Sequence, residues 1–479
     1  MSIKLNRRLF LKTAAGALLG LPAALTLGPQ RARTQSAEDR KLLFVIAAYG
    51  GGSIIDSFLP VAAGDVSSAD IASRLVAYPD ELVFQPPGSN IRCVSFARDD
   101  AMTSFLRENH GQMAVVTQEC TSVNHIVAQK RAVNGAGIHK GRTIMEMAAM
   151  RHGEGLLLPN TNMTIGGYIE PGDDRSLPAR ARGEIIPDPR FFSPTTHGSR
   201  GLARTPAPDA IELARQTRAQ LESVSHFGQT FAGSSLREHF MTNREESLRR
   251  MEEADLITRL MLFEESEQIP LSNFGLSTTP EIGRLKAQFP SLLADSFEAQ
   301  ASLAFLLARY GRSCAITLGP SIGLEGDNVP LAFDFSHTNH IVAQNQMWNR
   351  ITRVTGGLIN LLKSQDYLDD PTLGKMWDRS LIYIATDFGR DKVHAPGVAD
   401  FGTGHNLNNG NLLISPLLRG NTVYGGVDPD TCLTHGFNLA TGAPDTGVVM
   451  REGDIYSVIA QALDIDFPER IDMSAVVRG

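Results

Sequence analysis

Five short runs of mainly apolar residues are the clearest pattern along the chain. They lie at 41–49, 113–118, 314–318, 380–386 and 411–415. Apolar runs of this length without polar alternation are typical of strands buried on both faces, as in a parallel sheet. Each run therefore predicts one strand of a central sheet.

Stretches with helical spacing of apolar residues lie between these runs. They cover residues 143–151, 209–224, 235–265, 291–310 and 340–365. Pro208 stands directly before the second stretch, a position where proline favours the start of a helix. The alternation of strands and helices predicts an α/β fold with a mainly parallel central sheet flanked by helices.

One part of the chain departs from this alternation. Residues 171–208 are rich in Pro, Gly and Arg, and helical stretches follow them to about 267. We interpret 38–479 as a single α/β domain with an irregular and helical insertion at about 155–290.

The N-terminus has the layout of an export signal. Arg7 and Arg8 precede a mild apolar stretch at 13–27, which Pro22 interrupts. A charged region before a short apolar region is typical of a removable signal, whereas a membrane-spanning helix needs about 20 apolar residues. We interpret 1–37 as a twin-arginine signal peptide and polar linker. This predicts transport by the twin-arginine translocase, a periplasmic or secreted location and no stable membrane anchor.

Composition excludes some functions and leaves others open. The net charge of −7 and pI of about 6.0 provide no basic surface for nucleic acid. The four cysteines show no C-x-x-C spacing, which argues against a zinc knuckle or a thioredoxin-type motif. Since a twin-arginine substrate folds in the reducing cytoplasm, we expect most of these thiols to be buried and unpaired.

Polar residues cluster near the ends of the predicted strands, where open parallel sheets bind their ligands. In chain order they are Ser53 and Asp56, then Thr121, Ser122, Asn124 and His125, then Asp334, His337 and His340, then Asp387 and Arg390, and finally His405 before the last strand. Carboxylates and imidazoles together suit zinc, manganese, iron or calcium-like ions. Two such ions could polarise an ester oxygen and activate water. Taken singly, each residue also has a structural interpretation, such as a helix cap or an ion pair between Asp387 and Arg390.

A six-residue repeat adds a second pattern. The sequence NHIVAQ occurs at 124–129 and again at 339–344. Both copies predict the start of a helix, where free N–H groups favour an anion. The residues alone give no account of the repetition.

The order of these motifs resembles a known family. After the signal come GGGSIIDSF, an Asn-His pair before a helix, FDFSH, SLIYIATDFGR and GTGH. The chain is similar to a bacterial family of twin-arginine-exported proteins of unknown function in the alkaline phosphatase and sulfatase superfamily. Asp334 and His337 match its D-x-H motif with one extra residue between them. Asp387 stands where the family has glutamate, and His405 keeps the histidine of its D-H-G-x-G motif.

The resemblance implies an alkaline-phosphatase-like fold with one or two divalent ions, zinc or manganese, at the strand ends. The implied ligands are Asp56, Asp334, His337, Asp387 and His405. Alkaline phosphatases place a Ser or Thr nucleophile at a helix start, but here Asn124 and His125 occupy it, and no sulfatase-type C-x-P-x-R motif is present. The candidate catalytic residues are Asn124, His125 and Thr143, and the candidate substrate-binding residues are Arg142, His340 and Arg390.

The expected function is hydrolysis of phosphate or sulfate esters, with a small-molecule or polysaccharide ester as the substrate. The alternative is a non-catalytic periplasmic binding or assembly protein that keeps the fold with a degenerate site. The two hypotheses differ in what occupies the helix start at 121–125.

Overall fold

The computed structural model describes residues 37–96, 100–197, 207–242, 244, 255–320, 332–398 and 400–479. The twin-arginine run and the apolar stretch after it lie outside these residues, so the interpretation of the N-terminus stays a prediction. Among the helices in the described ranges, none is both long enough and apolar enough to cross a membrane.

An eight-stranded sheet forms the centre of the molecule. Its strands are β1 (Leu42–Ala48), β2 (Met113–Glu119), β3 (Asn160–Asn162), β4 (Glu184–Ile185), β5 (Ala315–Leu318), β6 (Ser380–Thr386), β7 (Asn408–Ile414) and β8 (Thr422–Tyr424). Their order across the sheet is β8-β2-β7-β6-β1-β5-β3-β4. Seven strands run in one direction, and only β7 runs against its neighbours β6 and β2. The predicted α/β fold with a mainly parallel sheet is confirmed.

The five apolar runs correspond to β1, β2, β5, β6 and β7. Every residue of β1 and β6 is buried, as expected for strands covered on both faces. The reversed direction of β7 was not predicted. Its connection from β6 is a hairpin-like excursion in which Gly389–Arg390 pairs antiparallel with His405–Asn406. A parallel neighbour would instead need a crossover connection, usually a helix.

Helices flank the sheet in two groups. The described helices are Ala69–Ala72, Ala101–Asn109, His125–Asn134, Ile144–His152, Phe192–His197, Pro208–Val224, His226–Thr230, 235–242, Ile282–Gln288, Ser296–Arg309, His340–Ser364 and Glu452–Ala462. Helix His340–Ser364 contacts Ala101–Asn109 and Ser296–Arg309, and helix Glu452–Ala462 contacts His125–Asn134 and Ile144–His152. The predicted helix at 235–265 is too long, since 255–260 form turns.

Part of the predicted insertion belongs to the central sheet. Strands β3 and β4 come from the stretch interpreted as an insertion and extend one edge of the sheet.

The four cysteines, Cys93, Cys120, Cys314 and Cys432, are all buried and free, as expected. Burial raises the pKa of each of these thiols, so they remain protonated at neutral pH.

Candidate metal centre

The carboxyl edge of the sheet brings distant parts of the chain together. Gly50 and Gly51 follow β1, Asp387 follows β6, and a helix begins at His125 after β2. The reversal of β7 places its first residues, rather than its last, at this edge. His405 therefore reaches the site from the start of a strand, which a fully parallel sheet would not permit.

Three side chains converge there in an arrangement that suits a metal ion. Ligand atoms of His125, Asp334 and His405 all lie within 4.8 Å of one another. Asp334 Oδ1 is 3.3 Å from His125 Nε2 and 4.0 Å from His405 Nε2. Zinc–ligand bonds of about 2.0–2.2 Å at tetrahedral angles imply ligand separations of roughly 3.3–3.6 Å. The two distances from Asp334 Oδ1 lie within about 0.4 Å of this range. The group as a whole spans up to 4.8 Å, so the side chains would have to draw together around an ion.

His337 is a fourth member of the cluster. Its Nε2 atom lies 3.4 Å from Asp334 Oδ1 and 2.8 Å from His405 Nε2. The shorter distance is that of a hydrogen bond between the two imidazoles. Binding of one ion by both rings would require them to move apart by roughly 0.5 Å.

Asp387 lies beneath the cluster and orients His125. Its carboxylate accepts hydrogen bonds from the backbone N–H of Gly50 at 3.1 Å and of Gly51 at 2.5 Å. It also contacts His125 Nδ1 at 2.8 Å, which leaves His125 Nε2 directed towards Asp334. A carboxylate behind a metal-binding imidazole is a common supporting arrangement in metal sites. Asp387 thus contacts the cluster through His125, whereas the sequence had suggested it as a ligand itself.

The electrostatic environment differs between two of the histidines. The hydrogen bond with Asp387 raises the pKa of His125, although partial burial acts in the opposite direction. Partial burial, together with the charges of Arg390 and His125, lowers the pKa of His405. His405 is therefore neutral at pH 7 and has a ring nitrogen available as a ligand.

Arg390 is buried under the cluster and forms a hydrogen-bonded ion pair with Asp334. Its guanidinium is 0% exposed and donates from Nη2 to Asp334 Oδ1 at 3.1 Å and to the Phe333 carbonyl at 3.2 Å. The same Nη2 also donates to the carbonyl of Gly50, so it connects the Asp334 segment to the end of β1. Burial lowers the pKa of Arg390, and the charge of Asp334 opposes this effect. Since Arg390 has no exposed surface, its contacts are those of a positioning residue.

Asp56 and His340 form a second, fully buried cluster. Asp56 Oδ1 lies 2.9 Å from His340 Nε2 and accepts a hydrogen bond from the Tyr78 hydroxyl at 2.5 Å. Burial would raise the pKa of Asp56, but the charge of His340 and these hydrogen bonds outweigh it and lower the pKa. In the described part of the chain, no hydrogen bond or ion pair joins Asp56 to Asp334 or Asp387.

The remaining candidates from the sequence have local contacts of their own. Asn124 caps helix His125–Asn134 and accepts from Val127 N at 3.3 Å. Thr143 is buried and forms a reciprocal capping box with Glu146. Arg142 pairs with Asp174 at 2.7 Å. The hydrogen bonds of Asn124 and Thr143 are those of helix caps.

The structure explains the NHIVAQ repeat. In both copies the asparagine caps a helix, and the following histidine contacts a buried aspartate, Asp387 in the first copy and Asp56 in the second. The glutamine one turn later binds the backbone of a loop at the sheet edge. Gln129 accepts from Gly167 N at 2.8 Å, and Gln344 accepts from Ser53 N at 3.0 Å. Sequence reasoning missed these glutamines, although the repeat was the signal for them.

Comparisons with known proteins give no assignment. No protein-family model matches the chain, and no curated protein matches its sequence. Among solved structures, the chain is similar to the crystal structure of Ps i-CgsB in complex with k-i-k-neocarrahexaose. The two share 9% identity over 90% of this chain and 73% of that chain, with a TM-score of 0.34. A TM-score of this size does not establish a common fold, so the site is interpreted from its own geometry.

Proposed function

We propose that the protein is a metal-dependent hydrolase of phosphate or sulfate esters with an alkaline-phosphatase-like fold. One observation carries the proposal. Asp334 Oδ1 lies 3.3, 3.4 and 4.0 Å from the Nε2 atoms of His125, His337 and His405, respectively. A carboxylate with converging imidazoles is a ligand set that zinc and manganese accept.

We propose one ion rather than two. A second ion would need Asp56 or Asp387 as ligands, as the resemblance to alkaline phosphatases implied. The oxygens of Asp387 accept from Gly50 and Gly51, and Asp56 is paired with His340. These contacts favour a supporting role for both carboxylates.

A bound divalent ion supplies Lewis acidity towards an ester oxygen and lowers the pKa of a bound water. The protein's part is to hold the ligands in place, with Asp387 fixing His125 and Arg390 fixing Asp334. The side chain of His337 is 45% exposed, more than those of the other two histidines. His337 Nε2 also accepts from Arg390 Nη1 at 3.3 Å, so Arg390 positions this imidazole as well as Asp334.

The proposed nucleophile is water. The Thr121 hydroxyl near the helix start donates to Glu452 at 2.8 Å, and the Thr143 hydroxyl accepts from Glu146 N at 3.1 Å. These contacts occupy both hydroxyls in the structure. The same observation is what the alternative, a non-catalytic binding or assembly protein, would predict, so catalysis has to be measured directly.

The test combines metal analysis with an ester panel. We expect the purified mature protein to retain about one zinc or manganese ion per chain and to hydrolyse phosphate or sulfate monoesters. His405→Ala should lose the ion and the activity with unchanged circular dichroism. His226→Ala, an exposed histidine elsewhere in the chain, is the matched control.

The outcomes separate the two hypotheses. Full metal occupancy in His405→Ala would contradict the site. Retention of metal by the wild type without turnover of any ester would favour the binding protein. Turnover that survives both chelation and the His405 substitution would refute the metal-dependent mechanism.

A further inference from the structure

A cavity of about 360 Å³ shares the carboxyl edge of the sheet with the candidate metal cluster of His125, Asp334, His337 and His405. Its wall includes Tyr49, Met163 and Gly319, which directly follow β1, β3 and β5, together with Ile185 of β4. These four strands are adjacent in the sheet and parallel, so the cavity lies at their carboxyl ends. The metal cluster lies at the same edge, over β1 and β6.

Residues that follow the cavity residues in the chain form hydrogen bonds that lead to the cluster. Tyr49 immediately precedes Gly50 and Gly51, whose N–H groups hold Asp387. Ile165, which also lines the cavity, is two residues before Gly167, which donates to Gln129 Oε1 at 2.8 Å. Gln129 Nε2 is in turn 3.5 Å from Asp387 Oδ2. The cavity and the cluster are therefore linked by short paths of buried residues through Gly50–Gly51 and through Gln129.

The cavity wall is apolar except at Thr164, Asp188, Arg190, Ser296 and Gln300. Of these, Thr164 Oγ1 donates to Asn162 Oδ1 at 2.7 Å and Gln300 Oε1 accepts from Gly319 N at 2.8 Å. Ile165 and Ile185 both line the cavity and are 46% and 49% exposed, so each presents aliphatic surface to it. Tyr49 contributes an aromatic ring whose hydroxyl is already engaged. It donates to the Ile165 carbonyl at 2.7 Å and accepts from Ile165 N at 2.5 Å. The wall thus offers apolar surface for a ligand.

The charges near the cavity are compensated within the protein. Arg190 binds Asp188 through two hydrogen bonds, at 2.9 and 2.8 Å. The start of helix Ser296–Arg309 also borders the cavity, but Asp295 already accepts from the N–H groups of Phe297 and Glu298. Among the described residues that line the cavity, an anionic ligand would find neither a cation without a partner nor an uncapped helix start, so the wall favours an uncharged group.

We infer that this cavity binds the uncharged, apolar organic part of the ester, and that the substrates are aryl or alkyl phosphates or sulfates. This inference rests on the proposed function. A polysaccharide ester would bring many hydroxyl groups and further charges against an apolar wall, where polar groups lose hydration without new partners. The cavity volume lies near the lower end of the usual range for small-molecule sites, about 300–1,000 Å³.

The test separates binding from catalysis. Binding of 2-naphthol, an uncharged aryl alcohol, is measured by fluorescence titration for the wild type, for Ile185→Asp and for the control Val449→Asp. Val449 is 51% exposed and does not line the cavity. We expect saturable binding by the wild type and the control, and an affinity at least tenfold lower for Ile185→Asp. Circular dichroism confirms that each variant is folded.

Kinetics complete the experiment. We expect kcat/KM for 2-naphthyl phosphate or sulfate to exceed that for a sugar phosphate or sulfate at least tenfold. Ile185→Asp should lower the naphthyl value at least tenfold, and the control Val449→Asp should change it less than twofold. Equal naphthol binding by Ile185→Asp and the wild type would overturn the inference, as would a preference for the sugar ester. If naphthol binds as expected but no ester is hydrolysed, the proposed function fails while the cavity assignment as an apolar binding site stands.

Discussion

Gly50 and Gly51 set the geometry of the cluster at the scale of single residues. Their φ angles of +84° and +83° turn both N–H groups towards Asp387. A Cβ atom on Gly50 would lie 2.3 Å from the backbone nitrogen of Asp334. Glycine is thus required here both for the backbone conformation and for the close approach of the Asp334 segment.

The first prediction concerns this contact. Gly50→Ala should lower the free energy of unfolding by roughly 3 kcal/mol or more and reduce metal retention, since Asp334 must move. Gly88→Ala is the matched control, because Gly88 has a φ of +79° but nothing within 4 Å of the added Cβ. It should cost only about 1–2 kcal/mol and leave metal content unchanged. Urea unfolding and metal analysis measure both effects, and equal costs for the two variants would contradict the close approach.

The second prediction concerns His152 and pH. Burial lowers the pKa of His152 to about 4, while its Nε2 contacts the Leu463 carbonyl at 2.7 Å. Between about pH 4 and 6.5 the unfolded chain binds a proton at this position that the folded chain excludes. The contribution of His152 to stability is therefore complete above pH 6.5 and falls as pH decreases, by at most about 3 kcal/mol.

The measurement is urea unfolding as a function of pH. His152→Gln, which does not titrate, should show a smaller loss of stability between pH 7 and pH 4.5 than the wild type. Identical pH profiles would indicate that His152 is readily protonated in the folded protein.

At the scale of elements, the two copies of NHIVAQ provide a matched pair of helix starts. Asn124 and Asn339 each cap a helix, accepting from Val127 N at 3.3 Å and Val342 N at 3.2 Å, respectively. The first helix carries His125 of the candidate metal site. The second carries His340, which is paired with the buried Asp56.

The third prediction uses this pair. Asn124→Ala and Asn339→Ala should each lower the free energy of unfolding by about 1 kcal/mol, the usual cost of a lost N-cap. Only Asn124→Ala should also weaken metal retention, since it loosens the start of the helix that holds His125. Parallel unfolding curves and metal titrations of the two variants test this. Equal metal affinities would show that the cap does not position His125.

The fourth prediction belongs to the whole molecule. If residues 1–37 are a twin-arginine signal, the double variant Arg7→Lys, Arg8→Lys should leave the precursor in the cytoplasm. Fractionation of expressing cells, with detection of the mature protein, measures the outcome. A single substitution of Lys12 by Arg serves as the control and should leave export intact. An unchanged periplasmic yield of the double variant would refute the interpretation.

Some strands of the sheet could be predicted from the sequence, and others could not. The long apolar runs at 41–49 and 380–386 were recognisable as strands because burial on both faces leaves no polar alternation. The short strands Asn160–Asn162 and Glu184–Ile185 were not, since three and two residues carry no usable period. The direction of a strand could not be predicted either, because an apolar run looks the same in a parallel and in an antiparallel strand.

The amino-acid sequence was sufficient to predict the strands of the sheet centre, the main helices and the residue types of a candidate metal-binding edge. These depend on local composition and spacing, which the chain displays directly. Tertiary structure decided which of the candidates meet: His125, Asp334, His337 and His405 in one cluster, and Asp56 with His340 in another. It did so through the reversed β7 and the glycine turn after β1. Both features bring together side chains that are far apart in the chain. Contacts of this kind produce no periodic pattern in the sequence, so they could not be predicted from it.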